Sequence, residues 1–345
     1  MVPQGFDCYL VEKDGAGKFH GRVARKSVVD LPAGEVLVRI SYSSLNYKDA
    51  LSATGHPGVT RKFPHVPGID AAGVVEESHT PLVEPGDEVF ITGFDLGQNT
   101  WGGFAQYVRV PGKWIMPLPE GLTLREVMIY GTAGLTAGQC VEALQKQGIQ
   151  PGHGEVVVTG ASGGVGSLAV GILAKAGYQV VASSGKPAAH THLTRLGARR
   201  IISREEVSDT TQKPMLPPRW AAAIDTVGGQ TLSTLVRSLE HGGAVAACGL
   251  VGGVELGLTV YPFILRNVSL LGIDSVECPL EARTRIWHKL AGEWKPKQLD
   301  AVAAEEVGLD ELNDAVERIL AGKTVGRVVV DPQRTMQLER HDSAG

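Results

Sequence analysis

The sequence contains few cysteines and no long apolar run. Its four cysteines, Cys8, Cys140, Cys248 and Cys278, are scattered over 345 residues without a C-x-x-C spacing. A disulfide framework is therefore not expected, and a reducing cytoplasm is the expected compartment. No apolar run reaches the length of a membrane span, and the N-terminus lacks a basic segment followed by an apolar one. Neither a membrane anchor nor a signal peptide is expected.

The sequence also lacks a strong charge of either sign. With 33 Lys and Arg against 37 Asp and Glu, the formal net charge is −4, which gives no argument for a nucleic-acid or membrane partner. None of the ten histidines stands in an H-E-x-x-H arrangement, and His190 and His192 have no third ligand nearby in the sequence. A metal site is not expected.

What the sequence does contain is glycine, 44 residues in all, with 43% hydrophobic residues. The length is enough for two domains, each with its own core. Residues 155–170 combine three valines typical of a buried strand, a turn with four glycines, and an apolar helical repeat. Aligned to G-x-G-x-x-G, positions 161, 163 and 166 are Ala, Gly and Gly. Such a turn lets backbone N–H groups approach a diphosphate, so we predict a dinucleotide site; the alternative is a glycine turn without a ligand.

The end of the next predicted strand indicates which dinucleotide binds. An NAD site places Asp or Glu there, but this segment is SSGK at 183–186. Two hydroxyls and the cation of Lys186 suit a 2′-phosphate, and Arg204 could add a second cation. We therefore predict NADPH; the alternative for Lys186 is an ordinary solvated lysine.

The pattern of strands and helices predicts two domains. Up to about residue 125, short strand candidates (36–40, 72–75, 87–91 and 104–110) alternate with Pro-Gly turns, which is typical of a barrel-like β domain. Further on, strand candidates alternate with helices, which predicts a doubly wound parallel sheet; they are 155–159, 179–182, 200–202, 221–225, 244–248 and 268–271. Helices are predicted at 123–144, 230–239, 280–290 and 309–320. The strand at 327–330 is expected to return to the first sheet, with a polar tail after 331.

Several motifs resemble those of the medium-chain dehydrogenases/reductases: PGID (67–70), PGDEV (85–89), GTAGLTA (131–137) and GASGGVG (160–166). A second set resembles the zinc-free, NADPH-dependent branch known as acryloyl-CoA reductases or YhdH-type quinone oxidoreductases: SSLNYKDA (43–50), WGG (101–103), AIDTVG (223–228), AACGL (246–250) and PFILRN (262–267). The resemblance implies a discontinuous GroES-like catalytic domain (1–125 with 275–345) and a Rossmann cofactor domain (126–274).

The sequence departs from the zinc-dependent relatives where their catalytic zinc is held. The matching segments here are LNY at 45–47 and GID at 68–70, which lack thiolate and imidazole ligands. Alcohol oxidation needs a Lewis acid or a base, whereas conjugate reduction of an activated alkene is easier to explain without zinc. We expect hydride transfer to the β-carbon and protonation at the α-carbon of the resulting enolate.

The resemblance places residues 46–49 where the substrate cleft meets the nicotinamide. Tyr47 is implied as a cofactor contact, and its phenol could donate a proton or a hydrogen bond to the enolate. Asn46 could donate in the same way, and Asp49 is the third candidate catalytic residue. The alternative is that Asn46 and Asp49 only brace the loop through hydrogen bonds to the backbone.

The resemblance also implies a set of cofactor contacts. They are Tyr47, Thr136, Ser162, Gly163, Gly164, Val165, Ser184, Gly185, Lys186, Arg204, Leu250, Ile264 and Ser275. For Thr136 the alternative is a hydroxyl satisfied within its helix. Arg61 and Lys62 are candidates for the phosphates of coenzyme A, unless they are only solvated.

Three functions remain open at this point. The first is NADPH-dependent reduction of acryloyl-CoA to propionyl-CoA; the second is reduction of quinones or enones; the third is a non-catalytic NADPH-binding sensor. We expect a small-molecule substrate and a homodimer that forms through the strand at 268–271.

Overall fold

The computed structural model describes residues 3–334. Its β-rich first part contains β1 (Gly5–Lys13), β2 (Phe19–Ser27), β3 (Val36–Leu45), α1 (Tyr47–Ala53), β4 (Asp70–Ser78), β5 (Glu88–Thr92), β6 (Tyr107–Val110) and β7 (Met116–Pro117). After the long helix α2 (Leu124–Lys146), an alternating part contains β8 (Glu155–Val158), α3 (Gly164–Lys175), β9 (Gln179–Ser183), α4 (His190–Leu196), β10 (Arg200–Ile202), β11 (Trp220–Asp225), α5 (Gly229–Ser238), β12 (Leu239–Ala247), α6 (Tyr261–Arg266) and β13 (Ser269–Gly272). The last part contains α7 (Leu280–Ala291), β14 (Ala303–Val307), α8 (Leu312–Leu320) and β15 (Arg327–Val330).

The alternating part forms a six-stranded parallel sheet in the order β10-β9-β8-β11-β12-β13. Successive side chains of a strand point to opposite faces. Accordingly Val156 and Val158 pack into one core, and Val157 packs into a second core on the other face. Burial on both faces explains why these strands are continuously apolar. The predicted doubly wound sheet is confirmed.

The first part forms a β1–β2 hairpin and a sheet in the order β14-β15-β3-β4-β5-β7, with β6 beside β3. The strand β15 pairs antiparallel with β3, so the chain does return to the first sheet at 327–330. This pairing supports the predicted division into 1–125 with 275–345 and 126–274, which stays a proposal. Residues 1–2 and 335–345, which include most of the predicted polar tail, lie outside the described residues.

The structure contains several elements that were not predicted, among them β7, α4 and α6. β1, β2 and β14 were not predicted, and the segment expected to form a loop after Asn46 is the helix α1. Asn46 is its N-cap, and Asp49 completes a capping box three residues later. No strand was predicted between the helices at 280–290 and 309–320, but β14 lies there as the edge strand of its sheet.

The helix α2 connects the two sheets and is broken at Gly131, whose φ of 51° and ψ of −155° are not helical. A Cβ at this position would approach the Asp70 carboxylate to 2.4 Å and the Ser44 hydroxyl to 2.7 Å. The break therefore lets α2 pass directly over the buried polar groups of β3 and β4. Within residues 3–334, no helix is long and apolar enough to cross a membrane.

Candidate active site

The glycine turn lies between β8 and α3, at the carboxyl edge of the parallel sheet. Gly160 has a φ of 57°, and a Cβ there would come within 2.2 Å of the Thr226 hydroxyl, so this position requires glycine. Gly163 is the N-cap of α3 and has no side chain to cap it. Because the first N–H groups of a helix have no partner within the helix, α3 presents open donors at this end.

A cleft of about 270 Å³ lies over this turn and contacts both sheets. It brings together Asn46 and Tyr47, which follow a strand of the first sheet, with residues 162–165, Lys186 and Arg204, which follow strands of the parallel sheet. A neighbouring cavity of about 440 Å³ is lined in part by Ser183, Arg204 and Glu205. The two cavities share Arg204, so a ligand could extend from the glycine turn past the end of β9.

Two cations meet where the cavities adjoin. The Lys186 Nζ donates to the carbonyl of Thr324 at 2.6 Å, and Arg204 packs against Gly185, where a Cβ would lie 2.6 Å from the guanidinium Nε. Burial, and then the charge of Arg204, lower the pKa of Lys186. An anion between the two side chains would relieve their repulsion.

A buried polar network, which we call the Asp70 network, lies behind the cleft. The Asp70 carboxylate accepts hydrogen bonds from the Ser44 hydroxyl at 2.7 Å, the Asn46 amide at 2.8 Å, and the Thr132 hydroxyl and N–H at 2.6 and 2.9 Å. Arg327 donates to Ser44 at 2.7 Å and to the Asn46 carbonyl oxygen at 3.0 Å, and its Nη2 lies 3.7 Å from the carboxylate. The network therefore connects β3, β4, α2 and β15.

Arg327 was not among the predicted site residues, although its side chain is only 3% exposed and lines the cleft. The sequence did contain a signal for a role of Arg327, because this charged residue is the first of a strand that is otherwise apolar. Burial lowers the pKa of Arg327, and the carboxylates of Asp70 and Asp49 oppose that effect. The structure thus adds a buried cation to the cleft wall.

Asn46 and Asp49 make extensive bracing contacts. The Asp49 carboxylate accepts from the backbone N–H groups of Asn46, Gly68 and Ile69 at 2.8, 3.1 and 2.8 Å. Burial and the neighbouring Asp70 carboxylate raise the pKa of Asp49 to about 7. The Asn46 amide is shared among Ser44, Asp49 and Asp70. These contacts favour the bracing role that the sequence left open, and catalytic roles for both residues stay predictions.

Tyr47 differs from its neighbours because its side chain is 41% exposed and lines the cleft. It is the first residue of α1, directly after the N-cap. Since the capping contacts fix the start of this helix, the phenol is held at the cleft wall and stays accessible to a ligand.

The remaining predicted cofactor residues lie outside the lining of this cleft. The Thr136 hydroxyl donates to the Thr132 carbonyl at 2.7 Å. This bond within the helix is the alternative to a cofactor contact that the sequence left open. Leu250 and Ile264 are 62% and 68% exposed. The Ser275 carbonyl accepts a hydrogen bond from Arg283 at 2.9 Å.

Two further pairs of predicted residues lie outside the cleft lining. Ser184 and Gly185 adjoin Lys186, and Arg61 and Lys62 are exposed on the loop after α1. The roles of all these residues stay predictions.

The Asp70 network does not fit a zinc ion. Zinc sites in proteins are built mainly from thiolate and imidazole ligands, whereas the two matching segments here, LNY at 45–47 and GID at 68–70, offer the Asn46 amide and the Asp70 carboxylate instead. Both groups are already hydrogen-bonded within the network, and Arg327 contributes a positive charge beside them. Among residues 3–334 there is no group of three or more His, Cys, Asp or Glu side chains that could hold a metal ion.

Two family models match the chain. Residues 32–120 match the alcohol dehydrogenase GroES-like domain, and residues 164–290 match the zinc-binding dehydrogenase domain. The acrylyl-CoA reductase AcuI of Ruegeria pomeroyi is 46% identical over 327 residues, which are 94% of this chain and 99% of that protein. A Bacillus subtilis protein that carries the name quinone oxidoreductase YhfP is 47% identical over 304 residues, 88% of this chain and 92% of that protein.

Two solved structures have the same fold. The yhdH oxidoreductase of Salmonella enterica, in complex with NADP, superposes with a TM-score of 0.91 at 47% identity, covering 94% of this chain and 99% of that one. The Bacillus subtilis protein yhfP, with NAD bound, has a TM-score of 0.92 at 45% identity and covers 95% of this chain and all of that one, 100%. The predicted combination of a GroES-like domain and a Rossmann-like parallel sheet is confirmed.

Proposed function

The chain belongs to the medium-chain dehydrogenase/reductase family, and we propose that it is an NADPH-dependent reductase of activated carbon–carbon double bonds. The proposed reaction converts acryloyl-CoA, NADPH and a proton to propionyl-CoA and NADP⁺. The observation that carries this proposal is the cleft that joins Tyr47 to the glycine turn and to the pair Lys186 and Arg204. The relative from Ruegeria pomeroyi, named as an acrylyl-CoA reductase, supports the choice of substrate.

The residues of the cleft fit an NADPH molecule. The open N–H groups at the start of α3 suit a diphosphate. Lys186 and Arg204 suit the 2′-phosphate, and the adjoining cavity of about 440 Å³ suits the adenosine. When bound, the nicotinamide supplies a hydride. The Salmonella enterica structure with NADP supports this assignment.

In the proposed mechanism the protein orients the alkene and stabilises charge on the substrate. Hydride addition at the β-carbon places negative charge on the thioester oxygen, and a proton then adds at the α-carbon. Tyr47, at the cleft wall, donates a hydrogen bond or the proton to this enolate. Asn46 and Asp49 hold the start of α1, so that the phenol keeps its position.

The test is the oxidation of NADPH by the purified protein, followed by the loss of reduced-nicotinamide absorbance, with acryloyl-CoA, an enone and a quinone as acceptors. We expect the highest kcat/KM with acryloyl-CoA. A higher value with a quinone would favour the second candidate function, which the name of the Bacillus subtilis relative supports. Folded protein that binds NADPH but reduces none of the three would refute catalysis of this kind.

We also propose that the protein is a cytoplasmic homodimer. β13 is an edge strand of the parallel sheet, and an edge strand offers unpaired N–H and C=O groups to a second copy. The segment before it exposes Leu250, Val251, Val254, Val260, Ile264 and Leu265. Such an apolar surface favours association. Light scattering coupled to size-exclusion chromatography measures the molar mass, and a monomer at micromolar concentration would refute the dimer.

A further inference from the structure

Arg283 lies in α7 at the junction of the two sheets and has no exposed surface. Its Nη1 donates to the carbonyl and the hydroxyl of Thr92, at 2.6 and 3.0 Å. Its Nη2 donates to the carbonyls of Ser275 and Val276, at 2.9 and 3.2 Å. The guanidinium also lies over the ring of Phe94, 4.5 Å from its centroid. One planar group therefore connects the end of β5 to the segment after β13.

Burying a guanidinium in this way costs more free energy than burying a side chain that only fills space. All four hydrogen bonds go to uncharged oxygens, and the buried Nε has no hydrogen-bond partner among the described residues. Burial lowers the pKa of Arg283, which reflects the cost of keeping a charge away from water. An apolar side chain of similar volume would pack there at a lower cost. The forked geometry of the guanidinium is the property that such a replacement would lose.

The backbone around the guanidinium is also specialised. Gly93 has a φ of 75° and Phe94 a φ of 53°, and the left-handed region is unfavourable for a large side chain such as Phe94. A Cβ on Gly93 would lie 3.6 Å from the Ser275 carbonyl and 3.8 Å from Nη2 of Arg283. Sparsely populated backbone conformations persist where the surrounding contacts enforce them, often at functional sites.

The two sides that Arg283 connects both lead to the candidate active site. Thr92 pairs with Asp70 across β5 and β4, and Asp70 holds Asn46 at 2.8 Å. On the other side, the resemblance implies Ser275 as a cofactor contact at the nicotinamide end. Arg283 thus links the segment 275–276 to the sheet whose strand β3 leads into Asn46 and Tyr47.

From these contacts we infer that Arg283 is a positioning residue, which fixes the segment 275–276 against β5 and so places the nicotinamide over the substrate. The inference rests on the proposed function, because it concerns the same cleft. The adenosine end of the cofactor contacts other elements, β9 and β10, so Arg283 affects the nicotinamide end alone.

The test compares Arg283→Lys, which keeps the charge but loses the fork, with Arg237→Lys as the control. Arg237 is also buried and donates to backbone carbonyls, those of Asp209, Thr211 and Lys213, and it does not line the cleft. We measure kcat and KM for acryloyl-CoA, the primary deuterium isotope effect with NADPH deuterated at the transferred position, and the binding of NADPH and of adenosine 2′,5′-bisphosphate. The thermal midpoint reports the structural cost of each substitution.

For Arg283→Lys we expect kcat to fall by about 10-fold to 10²-fold, since small errors in placement carry costs of this order. The isotope effect should rise, NADPH should bind more weakly, and the bisphosphate, which lacks the nicotinamide, should bind as in the wild type. Arg237→Lys should lower the thermal midpoint while kcat and the isotope effect remain unchanged. A normal kcat and isotope effect in Arg283→Lys would overturn the inference, as would an equal loss of affinity for both ligands.

The two proposals can fail separately. If the wild type reduces none of the acceptors, the proposed function is refuted, and the inference is then tested by binding alone. Selective weakening of NADPH relative to the bisphosphate would support it, and equal binding by wild type and variant would overturn it. If Arg283→Lys does not fold, Thr92→Val removes the side-chain hydrogen bond alone, and the same measurements apply to that variant.

Discussion

The choice between NADPH and NADH rests on Lys186, and Lys186→Glu tests it. In the structure the ammonium of Lys186 is half-buried at the junction of the two cavities and donates to the Thr324 carbonyl. Its pKa is lowered by burial and by the charge of Arg204. A 2′-phosphate would accept from both cations, whereas the 2′-hydroxyl of NADH would gain little from either. The cofactor that Bacillus subtilis yhfP holds is NAD, so the comparison is informative.

The size of the effect follows from two contributions. A hydrogen bond to a charged group contributes about 1.5–3 kcal/mol, and Lys186→Glu removes one. The new carboxylate also repels the phosphate, and two unit charges 4 Å apart interact by about 4 kcal/mol at an effective dielectric constant near 20, less where water screens them. We expect a total loss of about 3–4 kcal/mol, which weakens NADPH binding by about 10²-fold to 10³-fold. Losing the bond to Thr324 should affect both cofactors equally.

The assay is a titration of both cofactors against the intrinsic protein fluorescence, and the quantity of interest is the ratio of the two dissociation constants. Lys175→Glu is the matched control, because it makes the same charge change on an exposed residue at the far end of α3. The control should leave the ratio within about twofold of the wild type, since distant exposed charges are screened. Equal weakening of NADPH and NADH by Lys186→Glu would refute the 2′-phosphate assignment.

Three further substitutions test the site and its support. Tyr47→Phe should lower kcat by about 10²-fold if the phenol acts as an acid, and an unchanged kcat would remove it from the chemistry. Arg327→Met should lower the free energy of unfolding in urea by about 3–5 kcal/mol, because it leaves the buried Asp70 carboxylate without its cation; a loss below about 1 kcal/mol would contradict this. The pKa of Glu142 is lowered to about 2, first by Arg285 and then by Lys146, so the native state favours its ionised form. Glu142→Gln should therefore cost about 1–2 kcal/mol at neutral pH, after allowance for the exposure of both partners. This difference should disappear as the pH falls from about 4.5 to about 2; a difference that persists at the lowest pH would contradict the assignment.

The parallel sheet could be predicted from the sequence because its strands are buried on both faces. Runs such as Val156 to Val158 carry no polar position, and the crossover helices separate them at regular intervals. The glycine turn was predictable for a related reason. Its backbone conformation at Gly160 excludes a side chain, so the requirement is visible in the residue type itself.

The β1–β2 hairpin and the first sheet were harder to predict because some of their strands are exposed. β2 (Phe19–Ser27) has a single buried residue, Ala24, and β14 (Ala303–Val307) is an edge strand with two glutamates. Such strands lack the apolar alternation on which the sequence prediction depends. The helix α1 could have been predicted, because Asn46 and Asp49 have the spacing of a capping box.

The Asp70 network could not be predicted from sequence patterns. Arg327 and Asn46, which share a hydrogen bond, are 281 residues apart, and Asp70 and Thr132 are 62 apart. No local periodicity relates such positions, since only the return of β15 to β3 brings them together. The sequence therefore indicated a cofactor site but not the buried ion pair behind it.

The break of α2 at Gly131 has a consequence for how this sequence can drift over evolutionary time. Because the helix is interrupted there, the Ile129 carbonyl is available to Arg327 and the Thr132 N–H to Asp70, at 3.1 and 2.9 Å. A gap in the helical ladder thus supplies one acceptor to the buried cation and one donor to the buried anion. A ligand-contacting residue can be exchanged for another when the substrate changes, but any side chain at position 131 would occupy the space of both charges. A position that contributes no side chain at all is therefore tightly constrained in this helix.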